Sequence, residues 1–349
     1  MKIEPVAEKL ARKSFESTGI QKSWQAHIQA FGPILEPAFV DNYQAKIELT
    51  AALNFISNHD LKKGLKKLQL IEGVCSTKED KAAWLFCMGL CFEMANIKEE
   101  MLACYQKAGK YGHRFYLPYL KIAKAAHNDA VFEIAEKNYL KAIQCLNENE
   151  IGEQKKAILG SIYTNYASCL TMMHKYEEAE GALQNSMKIL PEQKGRAATE
   201  AILEAAKGET EKAHYFTEIV ATQMPALYGP TQKMVNDILE KRHPHFSCIS
   251  VQEGSIEVFW DWFVSNEINF LNKLEIEDYD TVFQMIQPKL KEVFSFMERD
   301  LEFGIEPIES YYQITFVDFF MLSLEDGYRK LVEAAPKSLN KHWVFKMDH

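Results

Sequence analysis

AAWLFCMGLCFEMANIKEEMLACYQKAGKYGHRF, residues 82–115, decides the fold, because the 34 residues that follow repeat its pattern without a gap. Counting Ala82 as position 1, it carries Leu85, Met88, Gly89, Phe92, Tyr105 and Ala108 at positions 4, 7, 8, 11, 24 and 27. Residues 116–149 place Tyr119, Ile122, Ala123, Ala126, Ala135, Tyr139 and Ala142 at positions 4, 7, 8, 11, 20, 24 and 27. After a ten-residue insertion, a third copy (160–193) supplies Tyr163, Tyr166, Ala167, Leu170, Tyr176, Ala179, Leu183, Ser186 and Pro191. A fourth (194–227) has Ala197, Ala201, Gly208, Ala213, Val220 and Pro225, and a weaker one (45–78) has Ala52, Phe55, Leu61, Gly64, Leu68 and Ile71. A fixed period of this kind marks a chain built from one stacked supersecondary unit. The spacing predicts two helices per copy: small side chains at positions 8 and 20 let them approach, and large ones at 4, 7, 11 and 24 fill the gap to the neighbouring copy.

The small positions Gly89, Ala123, Ala167 and Ala201 in a first helix, Ala135 and Ala179 in a second, and the segment KYEEAEGALQNSMKILP (175–191) resemble the tetratricopeptide repeat (TPR) family. The resemblance covers residues 45–227 and implies a TPR-type α-solenoid of about five helix-turn-helix repeats. In such proteins first-helix residues line a concave groove. Carried over position by position, the groove would comprise Phe86, Leu90, Glu93, Leu117, Leu120, Lys124, His127, Ser161, Thr164, Ser168 and Thr171. The Lys, Asn and Arg clamp that the chaperone-binding subclass uses for a peptide carboxylate is not matched: Lys124, with Asn165 near by, is what this chain offers.

A solenoid needs polar caps. Residues 1–44 hold two short amphipathic patterns, Pro5 to Phe15 and Trp24 to Phe31, expected to cap the first repeat. Residues 228–244 form a closing helix and linker, with Pro230 expected in its first turn and Pro244 beyond its end. From 245 to 349 a small α+β domain is expected. Helical spacing runs through Ile256, Phe259, Trp260, Phe263, Phe270, Leu271 and Leu274, then through Phe283, Ile286, Leu290, Val293, Phe294 and Met297, where Pro288 should kink or split the helix. The period then becomes two. Leu301, Phe303 and Ile305 alternate with Glu302, Gly304 and Glu306, and Tyr312, Ile314 and Phe316 share a face across a turn placed at Pro307 to Ser310. A helix capped by Ser323 and a last strand with Trp343, Phe345 and Met347 inward complete the pattern, and HFSCISV (245–251) is a candidate edge strand. The FWDWF segment and the AAP of 334–336 before a later Trp resemble a domain that follows TPR arrays in uncharacterised bacterial proteins.

The 349 residues carry a formal charge of −9, with 47% hydrophobic and 26% charged side chains. That profile excludes disorder and disfavours nucleic acid, whose phosphates demand a basic surface. The acidity is uneven: residues 245–349 hold 19 Asp and Glu against 9 Lys and Arg, and 19 of the 41 aromatic residues. No apolar leader or run long enough to span a membrane is present, and the seven cysteines are odd in number with no CxxC pair. A cytoplasmic protein with free thiols is expected.

Chemistry-bearing clusters are few. His243, His245 and Cys248 are zinc-type ligands on one extended segment, without a second ligand pair, and read as a linker. Cys87 and Cys91, one helical turn apart, and Cys104 read as core thiols. EIEDYD (275–280) lacks the Gly and the ligand spacing of a calcium loop and reads as an inter-helix loop. GxxxxGK[ST], GxGxxG, GxSxG and HExxH are all missing, so no catalytic residue, metal or cofactor is assigned. The expected function is a non-enzymatic adaptor that binds a protein or peptide partner in the groove. Two other readings are a regulatory peptide sensor or inhibitor with the C-terminal domain as lid, and an enzyme in that domain recruited by the repeats.

Overall fold

A computed structural model describes residues 38–112, 115–146, 153–252 and 254–349. The two patterns expected within residues 5–31 lie outside these. Among the described residues the chain forms fourteen α-helices and three β-strands. The helices of the repeat region are α1 (Tyr43–Ser57), α2 (Leu61–Glu72), α3 (Lys78–Met94), α4 (Lys98–Tyr111), α5 (Tyr116–Asn128), α6 (Phe132–Cys145), α7 (Glu153–Met172), α8 (Tyr176–Ile189), α9 (Arg196–Ala206), α10 (Thr210–Gln223) and α11 (Pro225–Leu239). After them come α12 (Ser255–Glu275), α13 (Tyr279–Val293), β1 (Glu302–Ile308), β2 (Tyr311–Val317), α14 (Leu322–Glu333) and β3 (Trp343–Asp348). The chain divides into two compact units, the first ending at Tyr163 and the second beginning at Thr164.

One turn recurs in all five copies. His59, Asn96, Ala130 and His174 have φ of 59°, 54°, 62° and 59°, and Gly208 has φ of 83°. Each is position 15 of its copy, counted from residues 45, 82, 116, 160 and 194. Each closes a helix with the same two bonds. In the copy from residue 82 the Asn96 amide donates to the Glu93 carbonyl and the Ile97 amide to the Phe92 carbonyl; in the copy from 116, Ala130 donates to His127 and Val131 to Ala126. This is a Schellman closure, which satisfies the last carbonyls of the first helix and turns the chain into the second. The left-handed residue is the cost, about 1 kcal/mol for a side chain other than glycine.

Within the first unit α1 packs on α2, α3 on α4 and α5 on α6, and successive pairs meet through α2 with α3, α1 with α3 and α4 with α5. The small positions allow this. Gly89, at 8 in its copy, faces Tyr105, at 24: a methyl group on Gly89 would lie 2.4 Å from the ring. Ala52, Ala123, Ala135, Ala167, Ala179 and Ala201 are all fully buried. The Trp84 indole donates to the Leu68 carbonyl at 2.9 Å, fixing α3 on α2.

In the second unit the Thr164 and Ser186 hydroxyls join α7 to α8 at 3.0 Å, and α9, α10 and α11 pack on one another around Ala201, Ala205, Ala213, Val235 and Ile238. The sheet runs in the order β1-β2-β3, with β1 antiparallel and β3 parallel to β2. Its register pairs Phe303 with Phe316, Ile305 with Ile314, and Ile314 with Phe345, so the apolar residues share the face that α12, α13 and α14 cover. Trp260 donates its indole N–H to the Leu331 carbonyl at 2.9 Å, binding α12 to α14.

Several boundaries differ from expectation, each for a local reason. The closing helix starts at Pro225, which needs no N–H donor in the first turn, so Pro230 falls inside it. Helix α13 runs unbroken through Pro288. The hairpin turns at Glu309 and Ser310 with Glu309 at φ 48°, and Pro307 stands inside β1, where an edge strand tolerates a missing donor. Ser323 is not a cap: its amide and hydroxyl both donate to the Pro244 carbonyl, at 3.3 and 3.1 Å. Residues 245–251 form no strand, because His245 to Phe246 turn and Phe246 packs on the α9–α11 core.

Candidate functional site

The first helices of the copies that start at residues 82 and 116 meet through charge. Lys121 of α5 donates to Glu93 of α3 at 2.9 Å, and the Tyr105 hydroxyl of α4 donates to the other Glu93 oxygen at 2.5 Å. Three helices are thus tied at one carboxylate. Burial and the Glu93 charge hold the Tyr105 phenol well above its ordinary range, so it remains a donor.

Around this pair lies an accessible surface. Lys124, one turn beyond Lys121, is exposed and has no carboxylate partner among the described residues. Partial desolvation and then the neighbouring Lys121 ammonium lower its pKa, against the opposing pull of the Glu93 charge. Leu120 is half-buried beside it. His127 is half-buried, with Nδ1 3.3 Å from the Tyr139 hydroxyl and its ring edge-on to Phe132 and Tyr139, and burial pulls its pKa down to about 4. The imidazole is therefore neutral and polar at pH 7. The arrangement offers one free cation, one apolar side chain and neutral hydrogen-bonding groups, a set suited to an anionic and apolar segment.

The other groove positions divide by burial. Phe86, Leu90, Leu117, Thr164 and Thr171 are in the core. Phe86 packs on Tyr105 and Phe115, and the Thr164 hydroxyl bonds Gln193 at 2.9 Å as well as Ser186. Thr171 returns its hydroxyl to the Ala167 carbonyl. Ser161 is exposed and bonds the Ala157 carbonyl, and Ser168 is half-buried. Lys121 was outside the list because it stands at position 6, between two groove positions; only its partner Glu93 on the preceding copy reveals it.

Sequence reasoning missed a second polar cluster, in the second unit. Asp318 is 1% exposed; its carboxylate accepts from the Phe320 amide at 2.8 Å and lies 3.0 Å from His349 Nδ1. Phe319 and Phe320 are both left-handed, at φ 52° and 58°, and the Phe320 carbonyl lies 3.1 Å from His174 Nε2. Burial would lower the His349 pKa, but the hydrogen bond and charge of Asp318 outweigh it and the net shift is upward. Burial pulls His245 down to about 3, and lowers His243 as well. The only sequence signal was VDFFM itself, a polar residue within an apolar run, and nothing local says that two phenylalanines take a glycine-like backbone.

His243, His245 and Cys248 do not converge. Their segment turns, the His245 amide donates to His243 Nδ1 at 3.3 Å, and Cys248 is exposed. Among the described residues no three His, Cys, Asp or Glu side chains are grouped to hold a metal ion. Burial raises the thiols of Cys87, Cys91 and Cys104, the last to about 12, so they are protonated core groups. In EIEDYD, Asp278 caps α13 through the Thr281 amide and pairs with Lys273 at 3.2 Å. Within 245–349 an open depression of about 490 Å³ is lined by Tyr311, Val332, Ala335, Asn340, Trp343, Val344 and Phe345. Among the described residues no helix is long and apolar enough to cross a membrane. No family model matches the chain, and no curated protein matches it.

Proposed function

We propose that this protein is a TPR-type interaction adaptor that holds a partner's protein segment on the first-helix face of its repeats. The observation that carries the reading is the Glu93–Lys121 ion pair, which joins the first helices of successive copies into one surface. On that surface Lys124 is free to meet an anionic side chain, and Leu120 an apolar one. A repeat array suits this role because each copy offers the same positions to a segment lying across several of them. Glu93, Leu120, Lys124 and His127 are the contact residues proposed, and Ser161 extends the polar part.

The test is capture from the protein's own source cells with the full chain and with Lys124→Glu and Leu120→Asp, read by mass spectrometry. A partner retained by the unaltered chain and by Lys137→Glu, on the exposed side of α6, but lost with both surface variants is expected. Equal capture by all four proteins would defeat the reading.

A further inference from the structure

The outer side of α12 carries Glu257, Asp261, Val264, Ile268, Leu271 and Glu275, at alternating steps of four and three. That is the 3.5-residue period with which a helix meets another lying alongside it. The opposite side is already used: Phe259, Trp260, Phe263, Phe270 and Leu274 are buried in the core against α13, α14 and the sheet, so the helix cannot turn this stripe inward. Ile268 is 75% exposed and Val264 40%, and Leu271, between them and the acidic end, is half-buried with one side against the core. Scattered surface aliphatics need no explanation, but three in line over two turns form a seam. Acids bracket the seam. Glu257, Asp261 and Glu275 have no cationic partner among the described residues, in contrast to Glu267, which pairs with His342 at 3.0 Å.

We propose that this stripe docks an amphipathic helix of a partner protein that is apolar over its central two turns and basic at both ends. Apolar contact supplies the affinity, and the two acidic ends set the register, because a shift by one turn would leave a basic group of the partner against Leu271 in one direction or Val264 in the other. The site is independent of the groove reading: it uses different residues, in the second unit, and opposite partner charge.

The probe is a labelled synthetic helical peptide of ~18 residues, with Leu at positions spaced three and four in the centre and Lys at both ends. Titration of the full chain at low salt should give saturable micromolar binding that weakens as salt rises. Ile268→Asp should weaken it by roughly tenfold or more. The double variant Glu257→Lys, Glu275→Lys should lose the Lys-ended peptide and accept one with Glu at its ends. All three positions are exposed, so circular dichroism and melting temperature should be unchanged. Equal binding of a scrambled peptide of the same composition, binding indifferent to Ile268→Asp, or no binding would overturn the proposal. So would a dimer in sedimentation that Ile268→Asp dissociates, since the face would then serve a second copy of this chain.

Discussion

Gly89 lacks a side chain because Tyr105 occupies the space where one would be. The Tyr105 ring is fully buried and its hydroxyl is held by Glu93, so it cannot give way to a methyl group 2.4 Å from it. Gly89→Ala, a change that ordinarily favours a helix, should instead destabilise by about 1–3 kcal/mol, read from urea unfolding. Ala130 presents the reverse case. It holds a left-handed backbone that glycine adopts freely, so Ala130→Gly should raise the urea midpoint by up to about 1 kcal/mol of stability. Titration gives a third expectation. His127 and His245 are neutral in the fold down to about pH 4 and 3, against an ordinary value of 6.5. The unfolded chain therefore binds protons first as pH falls, and stability present above 6.5 declines below it, by about 1.4 kcal/mol per unit for each group. His349, shifted upward, acts in the opposite sense: its contribution is present below 6.5 and fades as pH rises through its folded value. Thermal melts from pH 7 to 5 should thus fall less steeply for His127→Gln than for the unaltered chain.

Among the elements, α3 depends most on one side chain. Asp80, 3% exposed, accepts from the Ser76 and Thr77 amides, the Ser76 hydroxyl and the Phe39 amide, while the Thr77 hydroxyl accepts from the Asp80 amide to complete a capping box. Burial alone would raise its pKa; the amides of Thr77 and Phe39 prevail and lower it. Asp80→Ala leaves four donors without an acceptor and should cost about 2–4 kcal/mol, with faster hydrogen exchange at the start of α3 and around Phe39. The helices themselves were legible in the sequence, since position 8 is small in all five copies and position 20 in all but one, where Met101 stands. Their ends were less so. Ser323 has the residue type of a cap, and Pro230 that of a first-turn proline, yet the first is claimed by the distant Pro244 carbonyl and the second by a helix that begins one turn earlier at Pro225. Burial also had to be seen: a repeat position says which way a side chain faces, whereas Phe86 and Thr171 are covered because of what lies next to them.

At the scale of the molecule, the break in charge and aromatic content near His245 does not coincide with the division of the chain at Tyr163 and Thr164. Composition reports which surfaces are acidic; compactness follows from which side chains touch. Phe246 shows the difference. It lies past the composition break, yet its ring packs on the α9–α11 core and stands edge-on to His174 at 5.4 Å, while His174 reaches the Phe320 carbonyl beyond the sheet. Phe246→Ala should therefore cost about 2–4 kcal/mol and speed hydrogen exchange both in α9–α11 and at the 318–321 corner. Exchange confined to residues 243–250 would show that this segment is only a connection. The sequence by itself determined the helical repeat, its period and phase, the α+β pattern at the end and the face each strand buries, because those are local spacings that backbone geometry converts into direction. Only the tertiary structure decided that Lys121 bridges to Glu93, that Asp318 and two left-handed phenylalanines meet His174, and that α12 keeps an apolar seam in solvent, because each depends on residues far apart in the chain arriving at, or staying away from, the same place.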